Sequence, residues 1–326
     1  MSSNLLNNDA FDHDSLTVEL NAQHDLDREA IFMNMFNTDD AARAFTFRDG
    51  IMDRELLKNI DIDLEVMPQI DYRAWDPQNN VLKVVPRYLQ VEEMKVDLEF
   101  EGQKMQRTYM AKYSSPGADQ FDLGPYEWLL SHISDAIAEK LLLQAYYLGV
   151  RDNTGVTTTD TMDGRNKLIA DALTAGDLIA VATGAISYAT VVDDIETLCI
   201  AHDSSAKWGK KPSICPVSPQ IFTWYWQKRR EKYPYIVTVV GELQAIDQLP
   251  VEGFNVTLIK EYGLTGSQRL CITQKSNIII GADSSDKRNK MEFQRSKRIV
   301  NGLMDFRIGE QFAYLFTGSC TVNDVA

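Results

Sequence analysis

The sequence predicts an α+β fold, and three stretches of the chain carry this prediction. Residues 94–101 alternate apolar with charged side chains, the period of a strand with one covered face. Residues 125–149 repeat apolar side chains at spacings of three and four, the pattern of an amphipathic helix. Residues 191–316 mix short helical patterns with short strand-like runs.

Length and composition are those of a folded protein. The chain has 326 residues, of which 44% are hydrophobic and 25% are charged, and these values lie in the globular range. A chain of this size holds a large core, as two compact domains or as one domain with long excursions. A wholly disordered or fibrous protein is excluded.

Segments that would direct the chain to a membrane are not apparent. Residues 1–14 lack the basic start and the apolar stretch of a secretory signal. The most apolar long stretch, residues 178–192, is shorter than a membrane span and contains polar residues. We therefore expect a soluble protein made in the cytoplasm, with its widely spaced cysteines as buried reduced thiols. These cysteines are Cys199, Cys215, Cys271 and Cys320.

Negative charge is concentrated in the first part of the chain. The net charge is -14, and residues 1–65 hold 15 acidic and 5 basic residues. Such a segment is either an arm that pairs with a basic surface or a mobile, solvated terminus. Its large apolar side chains, Phe32 and Phe36 among them, are too many for a tail that touches nothing. The sequence predicts an acidic N-terminal arm over residues 1–65.

Residues 87–111 have the pattern of a long two-stranded ribbon. Apolar and charged residues alternate in its first strand, a glycine within 101–104 suits a turn, and 105–111 return. An isolated hairpin is marginal in water, so the ribbon must lie against its own subunit or a neighbour. We expect it to act between subunits, because its alternating face is too long for the chain's own short loops to cover. The residues assigned to this contact are Met94, Val96, Leu98, Phe100 and Gly102.

The clearest helix starts at Pro125 and stops at Gly149. Proline suits the first helical position and glycine suits the stop. At roughly 1.5 Å per residue this helix is about 36 Å long, the length of a small domain. Residues 151–163, rich in Thr, Asp, Asn and Gly, are predicted to form a surface loop.

The second half of the chain predicts a mixture of helices and strands. A helix is predicted at residues 191–201, and Ser218-Pro219 predicts the start of another, which Tyr233-Pro234 ends. Residues 291–316 predict strands that turn at Asn301-Gly302, a strong hairpin signal. Further short strands are predicted at residues 256–259, 270–273 and 277–280.

In this order the elements resemble the major capsid proteins of tailed bacteriophages, the fold first described for phage Hong Kong ninety-seven. In that family an N-terminal arm leads to an extended two-stranded loop, a long spine helix, an axial domain and strands that return to the peripheral domain. Residues 277–283 and 305–313 look like the family's usual ending. The resemblance rests on element order and this C-terminal pattern, and it covers most of the chain.

The resemblance implies five regions. They are the acidic N-terminal arm (1–65), the extended loop and start of the peripheral domain (66–124), the spine helix and following loop of the peripheral domain (125–165), the axial domain (166–283) and the return strands of the peripheral domain (284–326).

The family often begins with a long cleavable scaffold segment. The acidic arm is short for that role, so a scaffold would be a separate protein or absent.

The resemblance also implies a structural role. The expected protein is a major capsid protein of the virion, made in the host bacterial cytoplasm. It would assemble with itself into the hexamers and pentamers of an icosahedral or prolate shell that encloses double-stranded DNA, with scaffold, portal and decoration proteins as further partners and no membrane. Two alternatives stay open: an encapsulin-type compartment shell that packages a protein cargo, and a soluble enzyme with an unrecognised site.

Motifs for catalysis or cofactor binding are not recognisable in the sequence. The four histidines have no zinc-ligand spacing with each other or with cysteine, so we expect them to be structural. Residues 160–164 and 283–286 offer oxygen ligands but do not continue as a calcium loop. Residues 263–267 lack the lysine of a phosphate-binding loop. We predict no catalytic, cofactor-binding or metal site.

Two basic segments raise the question of nucleic acid. Residues 221–232 interleave aromatic and basic side chains, as single-strand binders do, but the aromatic side would face the core of a helix and the basic residues its solvated end. With a pI near 4.8, we expect DNA to be enclosed without sequence-specific binding. We expect the acidic arm to dock on the second segment. Its basic residues are Lys287, Arg288, Lys290, Arg295, Lys297 and Arg298.

Overall fold

The computed structural model describes residues 31–33, 35–36, 38–57, 60–62, 82–84, 86–101, 125–205, 207–232, 247–283, 290–296 and 299–325. The helices are α1 (Asp39–Ala44), α2 (Pro125–Lys140), α3 (Arg165–Ala175), α4 (Val191–Asp203) and α5 (Pro219–Lys232). The strands are β1 (Thr46–Arg48), β2 (Arg54–Leu57), β3 (Ile60–Ile62), β4 (Leu82–Val84), β5 (Arg87–Gln90), β6 (Glu92–Phe100), β7 (Ser213–Val217), β8 (Gln248–Pro250), β9 (Val256–Lys260), β10 (Cys271–Ile272), β11 (Ile278–Ala282), β12 (Lys290–Ser296), β13 (Ile299–Phe312) and β14 (Thr321–Val322).

Strand β13 is the centre of a five-stranded main sheet. The order is β1-β11-β13-β12, and β6 also pairs with β13. Ile308 pairs with Ala282 of β11 and with Glu92 of β6, so these two neighbours lie on opposite edges of β13. Strand β1 adds to β11 in parallel, and residues from both ends of the chain therefore meet in one sheet.

One face of β13 supplies much of the larger apolar core. Its even-numbered residues from Val300 to Phe312 are all buried, as the two-residue period of a strand requires when one face is covered. Helix α2 contributes Leu130 and Ile137 to the same core. We call this the first core.

The predicted spine helix is confirmed, although its last turn is not α-helical. Helix α2 continues into a π-helical turn, Leu141–Ala145, in which the Tyr146 amide donates to the Leu141 carbonyl at 3.0 Å. A Cβ on Gly149 would lie 2.4 Å from the Met162 carbonyl oxygen. The glycine therefore ends the helix where the returning chain packs against it. Residues 151–157 of the following loop are exposed, as predicted.

A second apolar core lies around the small sheet β7-β9-β8. Helices α4 and α5 cover it, and both confirm the sequence prediction. The Ser218 hydroxyl accepts from the Ile221 amide at 3.4 Å, which confirms the predicted start of α5; its predicted end lies outside the described residues. The predicted strands near 256–259, 270–273 and 277–280 are confirmed as β9, β10 and β11. The five domain boundaries stay predictions.

The predicted hairpin turn at Asn301-Gly302 is wrong. Both residues lie inside β13, and the hairpin closes between Ser296 and Ile299, which pair with each other. Gly302 faces Phe293 across the strands, and a Cβ on Gly302 would lie 3.0 Å from the Phe293 ring. The glycine therefore makes room for an aromatic ring rather than for a turn.

A pair of glycines lets the chain cross the main sheet. Gly281 of β11 and Gly309 of β13 are register partners and so share one face. A Cβ on Gly281 would lie 2.7 Å from Leu89 Cδ2, and one on Gly309 would lie 1.9 Å from the Gln90 carbonyl oxygen. The backbone that links β5 to β6 passes over these two glycines. Strand β5 pairs with β2, whereas β6 pairs with β13 of the main sheet. Gly281 lies in residues 277–283 and Gly309 in residues 305–313, the two segments that look like the family's usual ending.

We predict that Gly309→Ala destabilises the subunit by about 3 kcal/mol, because the new methyl group meets backbone that cannot rotate away. Gly302→Ala in the same strand is the matched control, with an expected loss of about 1 kcal/mol, since the Phe293 ring can tilt. Urea unfolding of both variants measures the difference. Equal losses would show that the crossing over Gly309 is not tightly packed.

Candidate assembly surface

The apolar residues predicted to act between subunits on β6 lie against the chain's own core. Met94 is buried in the first core, and Val96 and Phe100 pack against it. Leu98 is half-buried and pairs with Gly302 of β13. The alternation of the strand is as predicted, but the reason given for an intersubunit role is wrong for this strand, because the same subunit covers Met94. Their assembly role stays a prediction.

The described partner of β6 is β13, not a returning strand of a separate ribbon. The predicted return at residues 105–111 and the turn at Gly102 lie outside the described residues. Residues 87–90 pair instead with β2. Deleting residues 93–111 would thus remove a core strand, and loss of assembly after such a deletion would not identify an assembly element.

A two-stranded ribbon does exist, earlier in the chain than predicted. Arg54 pairs with Gln90, and Ile60, six residues further on, pairs with Val84, six residues back. The pairs β2/β5 and β3/β4 thus share one antiparallel register. The signal was present in the sequence, since Ile60 and Ile62 alternate with Asp61 and Asp63. Asp61 and Asp63 also contribute to the acidic charge of residues 1–65, so net charge alone assigns them to the arm.

The ribbon has one covered and one open face at its base. On the inner face Leu57 and Leu89 are buried with Ile51, Val91 and Ile279 in a small separate cluster. On the outer face Leu56 and Tyr88 are direct partners and are 42% and 48% exposed. Nearby Met52 is 64% exposed. We call the side of the ribbon base that carries Leu56 and Tyr88 the outer ribbon face.

Charged groups fix the base of the ribbon. Arg87 donates to the Leu315 carbonyl at 3.1 Å and lies 3.4 Å from Asp177. Burial lowers the pKa of the Arg87 guanidinium, and the Asp177 carboxylate opposes that shift. Arg48 pairs with Glu55 at 2.8 Å. The ribbon therefore starts from a fixed position while its outer face stays open.

The apolar residues of the predicted arm are core residues. Phe32 and Phe36 are buried in the first core, and the Phe36 ring lies 5.6 Å from Phe306 of β13. They therefore hold the described part of the arm to its own subunit. The acids there also pair locally, with Asp40 3.3 Å from Arg43.

The basic segment proposed to receive the arm is mostly undescribed. Lys287, Arg288, Lys297 and Arg298 lie outside the described residues, and of Arg295 only its backbone place in β12 is described. Docking of the acidic arm on this segment stays a prediction.

The other basic segment is confirmed as a core-facing helix. Ile221, Phe222 and Tyr225 of α5 are buried. Lys228 pairs with Glu231, Arg229 with Glu252, and Lys232 with Asp193 and Glu196. These cations are engaged with neighbouring carboxylates, which leaves little of their charge for a phosphate backbone.

Reactive side chains are used for packing. The four cysteines are free and buried, as predicted, and burial raises the pKa of the Cys199 thiol to about 12. His202 is structural, with its ring nitrogens 3.0 Å from the hydroxyls of Thr321 and Ser213. Within the described stretches no group of three or more His, Cys, Asp or Glu side chains is arranged to hold a metal ion.

A helix that spans a bilayer needs about 20 consecutive, mostly apolar residues. None of the described helices is both long enough and apolar enough to cross a membrane.

Comparison with known proteins identifies the fold. No family model and no curated protein matches the chain. Among solved structures, a chain of the satellite phage P4 procapsid that includes the size determination (Sid) protein superposes with a TM-score of 0.54 at 11% identity, over 90% of this chain and 98% of that one. A Mycobacterium phage Adephagia chain gives 0.49 at 15% identity, over 87% and 89%. The holo-encapsulin complex of Synechococcus elongatus gives 0.46 at 11% identity, over 89% and 88%.

The superposition on the satellite phage P4 procapsid chain therefore shows that this chain has the Hong Kong ninety-seven-like fold of phage capsid proteins. The resemblance seen in the sequence is confirmed at the level of the fold.

We predict that Phe36→Ala lowers the free energy of unfolding of the isolated subunit by about 3 to 5 kcal/mol, because it empties a fully buried site. Tyr88→Ala on the outer ribbon face is the control and should change stability by less than about 1 kcal/mol. Denaturant unfolding of unassembled subunits provides the measurement. A small loss for Phe36→Ala would mean that the arm is held by a neighbouring subunit instead.

Proposed function

We propose that the chain is the major capsid protein of a tailed bacteriophage, a subunit that assembles with copies of itself into an icosahedral or prolate shell around double-stranded DNA. The fold supports a shell subunit. The observation that carries the proposal is the outer ribbon face, a half-exposed apolar surface at the base of a two-stranded ribbon.

The outer ribbon face needs a partner for physical reasons. A two-stranded hairpin is marginally stable alone in water, and the described base of this one rests on the subunit through Leu57 and Leu89. Leu56 and Tyr88 are half exposed direct partners, with the Arg54 guanidinium 5.1 Å from the centre of the Tyr88 ring, and exposed apolar side chains that lie together are typical of interaction sites. A second copy of the chain is the partner that repeats this contact around a closed shell.

The charge of the subunit fits enclosure of DNA without tight binding. The net charge is -14, and the described cations of α5 are paired with carboxylates. Phosphate binding depends on free cations that displace counterions. The subunit would thus act as a wall, without catalysis, in the virion capsid. Scaffold, portal and decoration proteins would be separate partners.

We predict that the double variant Leu56→Ser/Tyr88→Ser folds normally but does not form closed particles. Both side chains are half exposed in the subunit, so their loss costs little stability, while the apolar contact between copies is lost. Val156→Ser, at a residue 96% exposed in the polar loop, is the matched control and should assemble normally. Sedimentation velocity and negative-stain imaging measure particle formation.

Normal particles from the double variant would remove the outer ribbon face from the assembly contacts. The contents of purified particles test the rest of the proposal. DNA and an attached tail support the virus, whereas an enclosed enzyme would assign the shell to a protein compartment. A wild-type protein that stays a monomer at micromolar concentration would contradict shell formation altogether.

A further inference from the structure

His202 is a buried histidine at the boundary between the two cores. It lies near the end of α4, whose residues Leu198 and Cys199 belong to the second core, and it is only 2% exposed. Its Nδ1 atom lies 3.0 Å from the hydroxyl of Thr321 in β14, and its Nε2 atom lies 3.0 Å from the hydroxyl of Ser213 in β7. Both of these residues are buried as well. One imidazole ring therefore joins α4 to two strands.

Strand β14 depends on contacts outside its own sheet. It is two residues long and pairs only with β10 among the described strands. Its Val322 side chain belongs to the first core, and the Val322 carbonyl accepts from the Val181 amide at 2.8 Å. The bond between Thr321 and His202 thus connects a strand of the first core to a helix of the second.

The hydrogen bonds around the ring assign its neutral form. A hydroxyl has a single hydrogen, and that of Ser213 donates to the Lys211 carbonyl at 3.1 Å. Toward the ring the Ser213 oxygen can therefore only accept, which places the hydrogen of the neutral ring on Nε2. Nδ1 is then an acceptor and receives the hydrogen of the Thr321 hydroxyl. Only this tautomer satisfies all three hydrogen bonds.

We propose that His202 is a pH-sensitive tie, whose neutral ring holds β14 against α4 and β7 and whose protonation on Nδ1 in mild acid loosens residues 319–325. The tie belongs to the single subunit and is independent of the proposed shell function.

Protonation of Nδ1 disrupts the match of donors and acceptors. Both ring nitrogens then donate, so the Thr321 oxygen has to accept and its hydrogen has to turn away from the ring. Among the described residues the Thr321 hydroxyl makes no hydrogen bond other than the one to His202. Protonation therefore leaves a buried hydroxyl hydrogen unpaired and places a positive charge in the interior, and both changes are costly.

The charged groups around the ring do not compensate for this charge. Asp203, the next residue of α4, favours the protonated ring, but it is exposed. Strands β7, β10 and β14 contain no charged residue, and their titratable groups are the thiols of Cys215 and Cys271. Asp324, beyond β14, is exposed and accepts from two backbone amides. The lysines of the loop before β7 are exposed cations, and α5 reaches α4 through Lys232 near the other end of the helix.

The direction of the pH effect follows from the neutral ring. Burial lowers the pKa of His202 below its ordinary value of 6.5, and the charge of Asp203 opposes that shift. The folded subunit therefore binds fewer protons than the unfolded chain, so the stability that the tie contributes is present above pH 6.5 and is lost as the pH falls toward the lowered pKa. From pH 7 to pH 5.5 the opening equilibrium of β14 should rise by up to about eightfold.

Hydrogen–deuterium exchange of the full-length subunit at pH 7 and pH 5.5, corrected for intrinsic exchange, tests the tie. Protection of residues 319–325 should fall by up to about eightfold at the lower pH in the wild type. His202→Gln keeps a donor toward Ser213 but cannot be protonated, so its protection should change little between the two pH values. His132→Gln, at an exposed histidine of α2, is the matched control and should respond to acid as the wild type does.

Nitrogen NMR of subunits with labelled histidine reads the ring directly and does not require the His202→Gln variant to fold. At pH 7 the wild-type ring of His202 should be neutral with its hydrogen on Nε2. On acidification it should titrate at a lower pH than the exposed His132.

The proposal fails if residues 319–325 of the wild type are equally or better protected at pH 5.5. It also fails if His202→Gln retains the acid response of the wild type. A His202 ring that carries its hydrogen on Nδ1 at pH 7, or that titrates at or above the pH at which His132 does, would contradict it as well.

Discussion

The close contact between two backbones over Gly281 and Gly309 determines how the rest of the subunit is arranged. Only residues without a Cβ allow the Gln90 carbonyl to lie against β13. That contact lets one continuous segment serve two sheets, with β5 in the ribbon and β6 in the main sheet. Two glycines in strand interiors cost conformational entropy. In return, their close contact with Leu89 and Gln90 fixes the position of the ribbon base on the main sheet.

Local rules predicted the helices and failed where a distant residue decides the structure. Helices α2, α4 and α5 follow from apolar periodicity and from residues such as Pro125 and Ser218 that act within one turn. Asn301-Gly302 has a strong local turn signal, but its glycine is needed for Phe293 on the neighbouring strand. The fold class came from element order, which is a global property and tolerates such local errors.

The candidate surface was harder to predict than the fold. Strand β6 shows clear alternation because its apolar face meets the core of its own subunit, whereas an apolar face that meets another subunit gives the same pattern. Alternation alone cannot separate these cases. The arm is predicted from net charge. Net charge carries no information on the burial of its own residues Phe32 and Phe36 in the first core. Burial and register depend on residues far apart in sequence. They distinguish a strand face that is covered by its own subunit from one that meets another subunit.

The pairing of β1 with β11 has a consequence for synthesis of the chain. Thr46 pairs with Ile279, and β6 pairs with β13 near the C-terminal end of the described residues. Contacts between such distant segments form late, because a long intervening loop must close first. On the ribosome the main sheet cannot be completed until most of the polypeptide has emerged, so a truncated nascent chain lacks the finished body from which the ribbon projects. The covered face of β6 therefore stays without its partner strand β13 for most of synthesis.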